Sequence, residues 1–499
     1  MKLPRIIQGG MGVAISDWKL AKAVSMQGHL GVVSGTGIAL VMVSRLTDGD
    51  KEGHIRRALS HFPFQDPVQR LLDEYYVPEP KTTRRPFKYP PMWTLNPPRA
   101  LDEMTVVSNF IEVFLAKEGH HNAVGINLLE KVQMPMMASL YGAMLAQVDF
   151  VIVGAGIPVQ VPGILDKLVD HQAVSYRLDV QGAAQDDDYR LHFDPQAVFP
   201  GVAEQLGRLS RPQFLPIISS DVLAKALVSR ASGEINGFVI EAPTAGGHNA
   251  PPRGPLRLDE GGEPIYGQKD VVDVEKIKQL GLPFWLGGGY DSPEKLRAAL
   301  EAGAAGIQVG TAFSCCVESG LEETLKSRII QKVLDEDIRV RTDPLVSPTG
   351  YPFKVVQLEG TLSDPKVSQS RTRLCDFGLL RHLYRRADGK VGFRCPAEPA
   401  EKYAAKEGKP EDSIGRNCLC NSLLATAGYA RQMTDGDVEL PIVTAGDGLS
   451  AIGRFIKPGH HSYTVQDVLD YLTGRVVHQP RVEGTSPLPI LPPELGEGA

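Results

Sequence analysis

The chain contains 499 residues, which is more than one minimal domain needs. Hydrophobic residues make up 42% of it and charged residues 22%, a balance typical of a globular protein with its own core. The net charge of -6 and the absence of a Lys/Arg stripe argue against a nucleic-acid partner. The apolar runs are too short to cross a bilayer, and the opening MKLPRIIQGGMG lacks a signal-peptide core. We therefore expect a cytoplasmic protein with no membrane partner.

Short apolar runs recur along the chain, and each ends in small or polar residues. The first covers residues 6–10, and a helix-like segment follows at 17–28. The others lie at 30–35, 123–129, 150–156, 214–220, 237–243, 283–289 and 306–313. Continuous rather than alternating apolar residues indicate parallel strands that are covered on both faces. Eight such strands alternating with helices predict an α/β fold, a (β/α)₈ TIM barrel, with an open doubly wound sheet as the alternative.

Three stretches exceed the needs of a minimal barrel. Residues 45–120 are rich in Pro, Arg and aromatic residues, and residues 173–195 have the pattern of an inserted β-hairpin. We predict a TIM-barrel unit over 1–335 with these two insertions, and a C-terminal extension over 336–499. The extension carries four of the six cysteines and ends in a Pro-rich tail, SPLPILPPELGEGA.

Two late glycine motifs have the pattern of a phosphate site. Gly287-Gly288-Gly289 ends the seventh predicted strand, and Gln308-Val309-Gly310-Thr311 ends the eighth. Residues without a Cβ let several backbone N–H groups approach a phosphate, and Thr311 adds a hydroxyl. A helix predicted to begin near residues 291–293 would direct its positive end to the same point. The alternative is that these glycines only form tight turns.

A histidine follows two glycines in the loop EAPTAGGHNAPPRG, residues 241–254, directly after the sixth predicted strand. Loops at the carboxyl ends of barrel strands build the active site, and histidine exchanges protons near neutral pH. We therefore predict a catalytic role for His248. The alternative is a histidine that only caps the loop through a backbone hydrogen bond.

The AGGH motif, the later GGG strand, the QVGTAF strand, the opening IIQGGMG and the GINLL strand together resemble the nitronate monooxygenases, formerly called 2-nitropropane dioxygenases. The same superfamily includes FMN-dependent enoyl-ACP reductases and the trans-acting enoyl reductases of polyketide pathways. The resemblance covers the eight-strand core and implies FMN held without a covalent link.

The residues that the resemblance assigns to FMN come from the first, third, seventh and eighth strands and from the histidine loop. They are Gly9, Gly10, Met11, Asn127, Gly246, Gly247, Gly288, Gly289, Gln308, Gly310 and Thr311. The isoalloxazine is expected against the first strand with Asn127 at its edge, and the phosphate against the last two strands. His248 corresponds to the active-site histidine of the family. The sequence departs from the family at EAPT and NAPPRG, which leaves the substrate open.

Four cysteines of the extension are candidate metal ligands: Cys375, Cys395, Cys418 and Cys420. Four thiolates suffice for one zinc ion or one iron–sulfur cluster. The spacing lacks paired CxxC motifs, however, and buried thiols that act as small hydrophobic side chains are the alternative. We expect Cys315 and Cys316, which follow the eighth strand, to pack in the core.

The preferred functional prediction is an enzyme, a flavin-dependent oxidoreductase that oxidises alkyl nitronates or nitroalkanes with molecular oxygen. His248 would orient the nitro group or remove the proton next to it. One alternative is an NAD(P)H-dependent enoyl-thioester reductase, under which acyl carrier protein would be a partner. A second is a non-catalytic flavin-binding redox partner. Otherwise we expect a small-molecule substrate, and the sequence is compatible with a homodimer.

Overall fold

The computed structural model describes residues 3–79, 88–431 and 438–475, and the Pro-rich tail lies outside these residues. Fifteen strands are present in this part of the chain. They are β1 (Ile6–Gln8), β2 (Gly31–Ser34), β3 (Val124–Leu129), β4 (Phe150–Gly154), β5 (Val174–Arg177), β6 (Val180–Gln181), β7 (Arg190–Phe193), β8 (Gln213–Ile218), β9 (Phe238–Glu241), β10 (Phe284–Gly287), β11 (Gly306–Val309), β12 (Val340–Asp343), β13 (Phe353–Val356), β14 (His382–Arg385) and β15 (Val391–Arg394).

Eight of these strands form one parallel sheet in the order β1-β11-β10-β9-β8-β4-β3-β2. The two edge strands meet through a parallel bridge between Ile7 and Leu30. There the Gln8 N–H donates to the Leu30 carbonyl at 2.9 Å, and the Leu30 N–H donates to the Ile6 carbonyl at 3.1 Å. The sheet is therefore a TIM barrel, which confirms the predicted fold class. All eight predicted strands are present, and the open-sheet alternative is wrong.

The barrel interior is a separate apolar layer in which most strands take part. Ile7, Val32, Phe150, Leu215 and Trp285 are among its fully buried members. The Trp285 indole N–H donates to the Pro4 carbonyl at 2.7 Å, so the largest side chain of this layer also has its polar group satisfied. Continuous apolar strands are thus explained by burial on both faces, inside the barrel and beneath the helices.

Seventeen α-helices within the described residues surround the barrel or belong to its insertions and extension. They are α1 (Trp18–Met26), α2 (Ile38–Thr47), α3 (His54–Ser60), α4 (Gln65–Tyr75), α5 (Arg99–Lys117), α6 (Met136–Leu145), α7 (Val161–Leu168), α8 (Pro195–Val198), α9 (Val202–Leu206), α10 (Asp221–Arg230), α11 (Val274–Lys278), α12 (Pro293–Glu301), α13 (Glu323–Leu334), α14 (Pro365–Ser370), α15 (Ala400–Ala405), α16 (Leu419–Thr426) and α17 (Val465–Leu472). In the described part of the chain, no helix combines the length and apolar character that crossing a bilayer requires.

The two predicted insertions differ in kind. Residues 173–195 contain the antiparallel pair β5–β7, with Val174 opposite Phe193, as the alternating pattern predicts. The insertion at 45–120 contains α3, α4 and the 19-residue helix α5, whose residues are largely buried. Residues 80–87 of that insertion lie outside the described residues. The long insertion therefore adds a packed helical layer to the barrel.

The C-terminal extension packs over the carboxyl ends of the barrel strands. Its hairpin β12–β13 lies beside the histidine loop, where His248 bridges to Phe353. The extension has a second hairpin, β14–β15. Its strand β14 also pairs in parallel with β6, which lies in the insertion at 173–195. Buried residues of the extension and of the barrel helices share one hydrophobic core. The division at residue 335 stays a prediction.

Candidate functional site

A cavity of about 240 Å³ opens at the carboxyl ends of the barrel strands. It is lined by His248 and by every residue that the sequence assigns to FMN. Strands β1, β3, β10 and β11 and the loop after β9 bring these residues together, although they span some three hundred positions of the chain. The structure thus gathers the whole predicted set around one space.

One end of the cavity has the geometry of an anion site. Gly288 and Gly289 have φ angles of +88° and +78°, which side chains with a Cβ rarely adopt, and they turn the backbone after β10. Ser292 caps α12 by accepting from the Lys295 N–H, and Pro293 occupies the first turn as predicted. Gly310 leaves open space beside it, because an added Cβ would meet only Met11, at 3.6 Å. Gly288, Gly289, Gly310 and Thr311 line this end of the cavity, and α12 begins at Pro293, close in the chain to Gly289. Glycine backbone beside a helix start is a common arrangement at phosphate sites.

The extension supplies a second glycine-rich segment to this end of the cavity, TAGDG at residues 444–448, which sequence analysis missed. The Gly446 N–H donates to the Thr311 hydroxyl at 2.8 Å, and the Asp447 N–H donates to the Thr244 carbonyl at 3.1 Å. The Lys354 ammonium forms an ion pair with the Asp447 carboxylate at 2.6 Å, so the positive charge of Lys354 offsets the negative charge of Asp447. In the sequence, this contribution to the cavity was indicated only by the glycines of TAGDG, which lie far beyond the last barrel strand.

The other end of the cavity is formed by the loop after β1. The Met11 N–H donates to the Ser16 hydroxyl at 2.9 Å, which fixes the turn that carries Gly9 and Gly10. A Cβ on Gly10 would overlap the side chain of Asn127, so this backbone lies directly against β3. The buried Gln308 Oε1 has no hydrogen-bond partner among the described residues. An orphaned acceptor beside exposed backbone fits a planar ligand that carries hydrogen-bond donors.

Together the two ends fit FMN, because one offers N–H groups to a phosphate and the other offers flat backbone and an unsatisfied acceptor to a ring. Gly288, Gly289, Gly310 and Thr311 would hold the phosphate, as the sequence predicts. Gly246 and Gly247 lie on the rim between the ends. The Gly247 N–H donates to the Thr444 hydroxyl at 2.8 Å, and a Cβ on Gly246 would lie 2.8 Å from the Ala445 backbone.

His248 lies on the cavity wall and is held by the extension. Its Nε2 shares a hydrogen bond of 2.7 Å with the Ser347 hydroxyl, and its ring packs edge-on against Phe353 at 4.8 Å between centroids. Burial, with a smaller effect from Lys131, lowers the pKa of His248 to about 4. The imidazole is therefore neutral at ordinary pH, and the partner Ser347 could not be identified from the sequence.

Glu241 is a second titratable residue of the cavity, and sequence analysis did not single it out. It ends β9 and lines both the main cavity and an adjacent one of about 320 Å³. Burial raises the pKa of Glu241 to about 8. A carboxyl that keeps its proton at neutral pH is able to donate a hydrogen bond or a proton. The Glu at the start of EAPT was the signal available in the sequence.

The adjacent cavity shares Glu241 and His248 with the first. Arg253 and Tyr266 also line it, and Ile217 and Ile157 give it apolar walls. The Arg253 guanidinium donates to the Ser219 carbonyl at 3.3 Å. The two cavities therefore meet at the two titratable side chains.

The four cysteines of the extension lie together, but in pairs. Cys375 has the largest effect on the pKa of Cys395, and Cys418 and Cys420 have the largest effect on each other, so the cysteines are neighbours in two pairs. Cys420 lowers the pKa of Cys418, whereas Cys375 raises the pKa of Cys395. Within the described ranges, no group of three or more His, Cys, Asp or Glu residues is placed to hold a metal ion. The predicted metal at these thiols stays a prediction.

Cys315 and Cys316 are buried thiols, as expected from their position after β11. The Cys316 thiol donates to the Phe313 carbonyl at 3.1 Å. Burial raises the pKa of Cys315 to about 11, so both residues serve as packing groups of the core.

The fold and the cavity define a TIM-barrel protein with a site that fits a phosphate-bearing flavin. Residues 203–345 match the family model described as nitronate monooxygenase. The matched segment includes β9, the histidine loop, β10 and β11, which carry the phosphate site and His248. The resemblance read from the sequence is therefore confirmed.

One curated relative is (3aS,4S,5R,7aS)-5-hydroxy-7a-methyl-1-oxo-octahydro-1H-indene-4-carboxyl-CoA dehydrogenase from Mycobacterium tuberculosis (strain ATCC 25618 / H37Rv). It is 28% identical over 158 residues, which are 32% of this chain and 39% of the relative. The similarity thus spans well under half of the relative's length.

Solved structures with similar chains include FabK, a nitroalkane oxidase and an enoyl reductase domain. FabK from Thermotoga maritima is 15% identical, with a TM-score of 0.45 and coverage of 95% of this chain and 92% of that one. A nitroalkane oxidase from Streptomyces ansochromogenes is 14% identical, with a TM-score of 0.41 and coverage of 94% and 95%. The enoyl reductase domain of MlnA from the macrolactin biosynthesis cluster of Bacillus amyloliquefaciens is 13% identical, with a TM-score of 0.43 and coverage of 94% of each chain. The fold assignment rests on the strand pairing described above.

Proposed function

We propose that the protein is an FMN-dependent oxidoreductase that acts on alkyl nitronates. The observation that carries the proposal is the convergence of all the predicted flavin residues and His248 on one cavity. The match of residues 203–345 to the nitronate monooxygenase family model supports the substrate class. The redox chemistry belongs to FMN, which when bound accepts electrons from the substrate and passes them to molecular oxygen.

The protonation states favour an anionic nitronate over a neutral nitroalkane. A nitroalkane must first lose the proton next to its nitro group, and a histidine with a pKa of about 4 is a weak base for that step. A nitronate has already lost this proton. Glu241 keeps its own proton below a pH of about 8, so it adds no negative charge and offers a hydrogen bond to a nitro oxygen.

His248 acts in this scheme as an orienting group. The Ser347 hydrogen bond fixes Nε2, and the contact with Phe353 fixes the plane of the ring. A rigid neutral imidazole at the junction of the two cavities is suited to hold the nitro group, while the alkyl part lies against apolar side chains such as Ile217.

The second candidate is an enoyl-thioester reductase that uses NAD(P)H, with acyl carrier protein or coenzyme A as the thioester carrier. One observation favours it: Arg253 lines the adjacent cavity, and a guanidinium can pair with the phosphates of such a carrier. The relative named as a carboxyl-CoA dehydrogenase is in keeping with a thioester substrate. Under this scheme protonated Glu241 would donate to the thioester carbonyl.

A direct comparison of the two reactions tests the proposal. Purified protein reconstituted with FMN is given a small alkyl nitronate in air while oxygen consumption is recorded, and NADPH without oxygen while the visible flavin band is recorded. Nitronate-dependent oxygen uptake without NADPH bleaching is the expected result. Rapid bleaching followed by reduction of an enoyl thioester would replace the nitronate scheme with the second candidate.

A non-catalytic flavin-binding role is the remaining alternative. Protein that binds FMN but turns over neither substrate class would favour it. Failure to bind FMN would refute all three functions, the two catalytic ones and the flavin-binding one.

A further inference from the structure

The four cysteines of the extension are brought together by three separate segments. In the hairpin β14–β15, His382 pairs with Arg394, so Arg381 and Cys395 lie opposite each other where the hairpin begins and ends. The Asn421 side-chain amide donates to Asp376 at 2.9 Å and to the Cys418 sulfur at 3.3 Å, which joins the segment of Cys375 to helix α16. Backbone pairing and the Asn421 amide therefore bring the segments of the four cysteines together.

The four cysteines differ in their exposure and in what they line. Cys375 is partly exposed, whereas Cys395 and Cys418 each expose 4% of their surface. Cys420 lines the proposed flavin cavity, as do its helix neighbours Leu419 and Leu423. Leu423 in turn lies 3.7 Å from a Cβ built on Gly12, next to the backbone expected beneath the isoalloxazine ring. The thiols thus extend from the protein surface to the cavity.

The inner pair, Cys418 and Cys420, also differs chemically from Cys375 and Cys395, because it lies at the start of helix α16. Cys418 is the N-cap residue of this helix, and its sulfur accepts from the Asn421 amide. Both features stabilise a thiolate, which is the reactive form in thiol–disulfide exchange. Two cysteines separated by one residue close a small ring when oxidised, and strained disulfides of this kind are easily reduced.

We propose that the four thiols form a dithiol relay, in which Cys375 and Cys395 exchange with an external dithiol and Cys418 and Cys420 exchange electrons with the flavin. The relay rests on the proposed function for the presence of FMN. It adds a reductant class, a dithiol compound or protein, that the oxidase scheme does not use.

Each step of the relay is balanced. An external dithiol reduces the Cys375–Cys395 disulfide by exchange and leaves as a disulfide. The Cys375 and Cys395 thiols then reduce the Cys418–Cys420 disulfide in the same way. Finally the Cys418 and Cys420 thiols lose two electrons and two protons as their S–S bond forms. The two electrons and one proton would go to FMN held in the cavity, and the second proton would go to solvent.

The test uses full-length protein with FMN bound and dithiothreitol as the external dithiol, without oxygen. Bleaching of the visible flavin band is recorded for the wild type and for Cys418→Ser, Cys420→Ser and Cys316→Ser. The last is the matched control, because it replaces a buried thiol outside the group and a serine hydroxyl can still donate to the Phe313 carbonyl. We expect bleaching in the wild type and the control and its loss in the two α16 variants.

A chemical readout accompanies the spectra. After reoxidation in air, free thiols are blocked and the protein is cut with trypsin. The tryptic peptide 417–431 contains Cys418 and Cys420. If these form a disulfide, the peptide should carry no blocking group and should be lighter than the dithiol form by two hydrogen atoms. Residues 374–381 and 395–402 should be recovered as a cross-linked pair when the outer thiols are oxidised.

The outcomes separate the relay from the proposed function. If FMN binds but Cys418→Ser and Cys420→Ser bleach as fast as the wild type, or peptide 417–431 stays a dithiol, the relay is wrong and the oxidoreductase proposal stands. If FMN does not bind, both fail. Iron or zinc retained in stoichiometric amount after anaerobic purification, and lost in Cys418→Ser, would overturn the relay and make these thiols metal ligands.

Discussion

Glu241 gives a prediction that does not depend on knowing the substrate. Replacing it with Gln keeps the shape of the side chain and removes its titration. In the folded protein burial raises the pKa of this carboxyl from 4.5 to about 8. Between these values the unfolded chain releases the proton and the folded chain keeps it, so the free energy of unfolding falls as the pH rises.

The size of the effect follows from the shift. One pKa unit corresponds to about 1.4 kcal/mol, so ionising Glu241 in the folded state costs at most about 5 kcal/mol. The side chain is partly open to the cavity, and water there screens some of this cost. We therefore expect ionisation of Glu241 to lower the free energy of unfolding by about 2 to 5 kcal/mol. This loss is present in full above a pH of about 8 and absent below about 4.5.

Urea denaturation at several pH values measures this difference. Glu241→Gln should gain stability over the wild type as the pH rises from about 5 to about 9, whereas exposed Glu260→Gln, the matched control, should not. If Glu241 also donates a proton or hydrogen bond to substrate, wild-type turnover should decline above a pH of about 8. Parallel stability curves for wild type and Glu241→Gln would refute the argument that burial protonates this carboxyl.

Three further predictions concern other parts of the molecule. His248→Asn should lower kcat about a hundredfold while FMN stays bound, because it removes the side chain that orients the nitro group, and an unchanged kcat would refute this orienting role. Gly310→Ala should raise the Kd of FMN about tenfold or more without changing Tm, because its Cβ fills the cradle and meets no backbone, whereas Gly267→Ala should leave FMN titration unaltered. Arg45→Met, which strips Asp17 and Glu112 of their buried partner, should cost about 3 to 5 kcal/mol of stability in urea melts; a smaller loss would contradict the ion-pair assignment.

Much of the fold could be predicted because its signals are local. Eight apolar runs identified the eight barrel strands, and alternation at 173–195 identified the inserted hairpin. The glycines at 288, 289 and 310 marked places where backbone must approach a ligand, and Ser292 with Pro293 marked a helix start. Each of these features depends on residues close together in the chain, whose backbone preferences the sequence states directly.

The environment of the site could not be predicted in the same way. Ser347 reaches His248 across 99 positions, and Thr444 reaches Gly247 across 197. The low pKa of His248 and the high pKa of Glu241 come from burial beneath an extension that no local pattern connects to the barrel. Sequence analysis therefore named the histidine but neither its partner nor its protonation state.

The sequence by itself determined the barrel, the glycine cradle and the class of cofactor that the site fits. Only the tertiary structure decided that the extension closes over the barrel, that Glu241 joins His248 at the junction of two cavities, and that four cysteines meet in pairs beside one of them. The reason is physical: strand and turn formation depend on neighbouring residues, whereas burial and charge depend on side chains that only folding brings into contact.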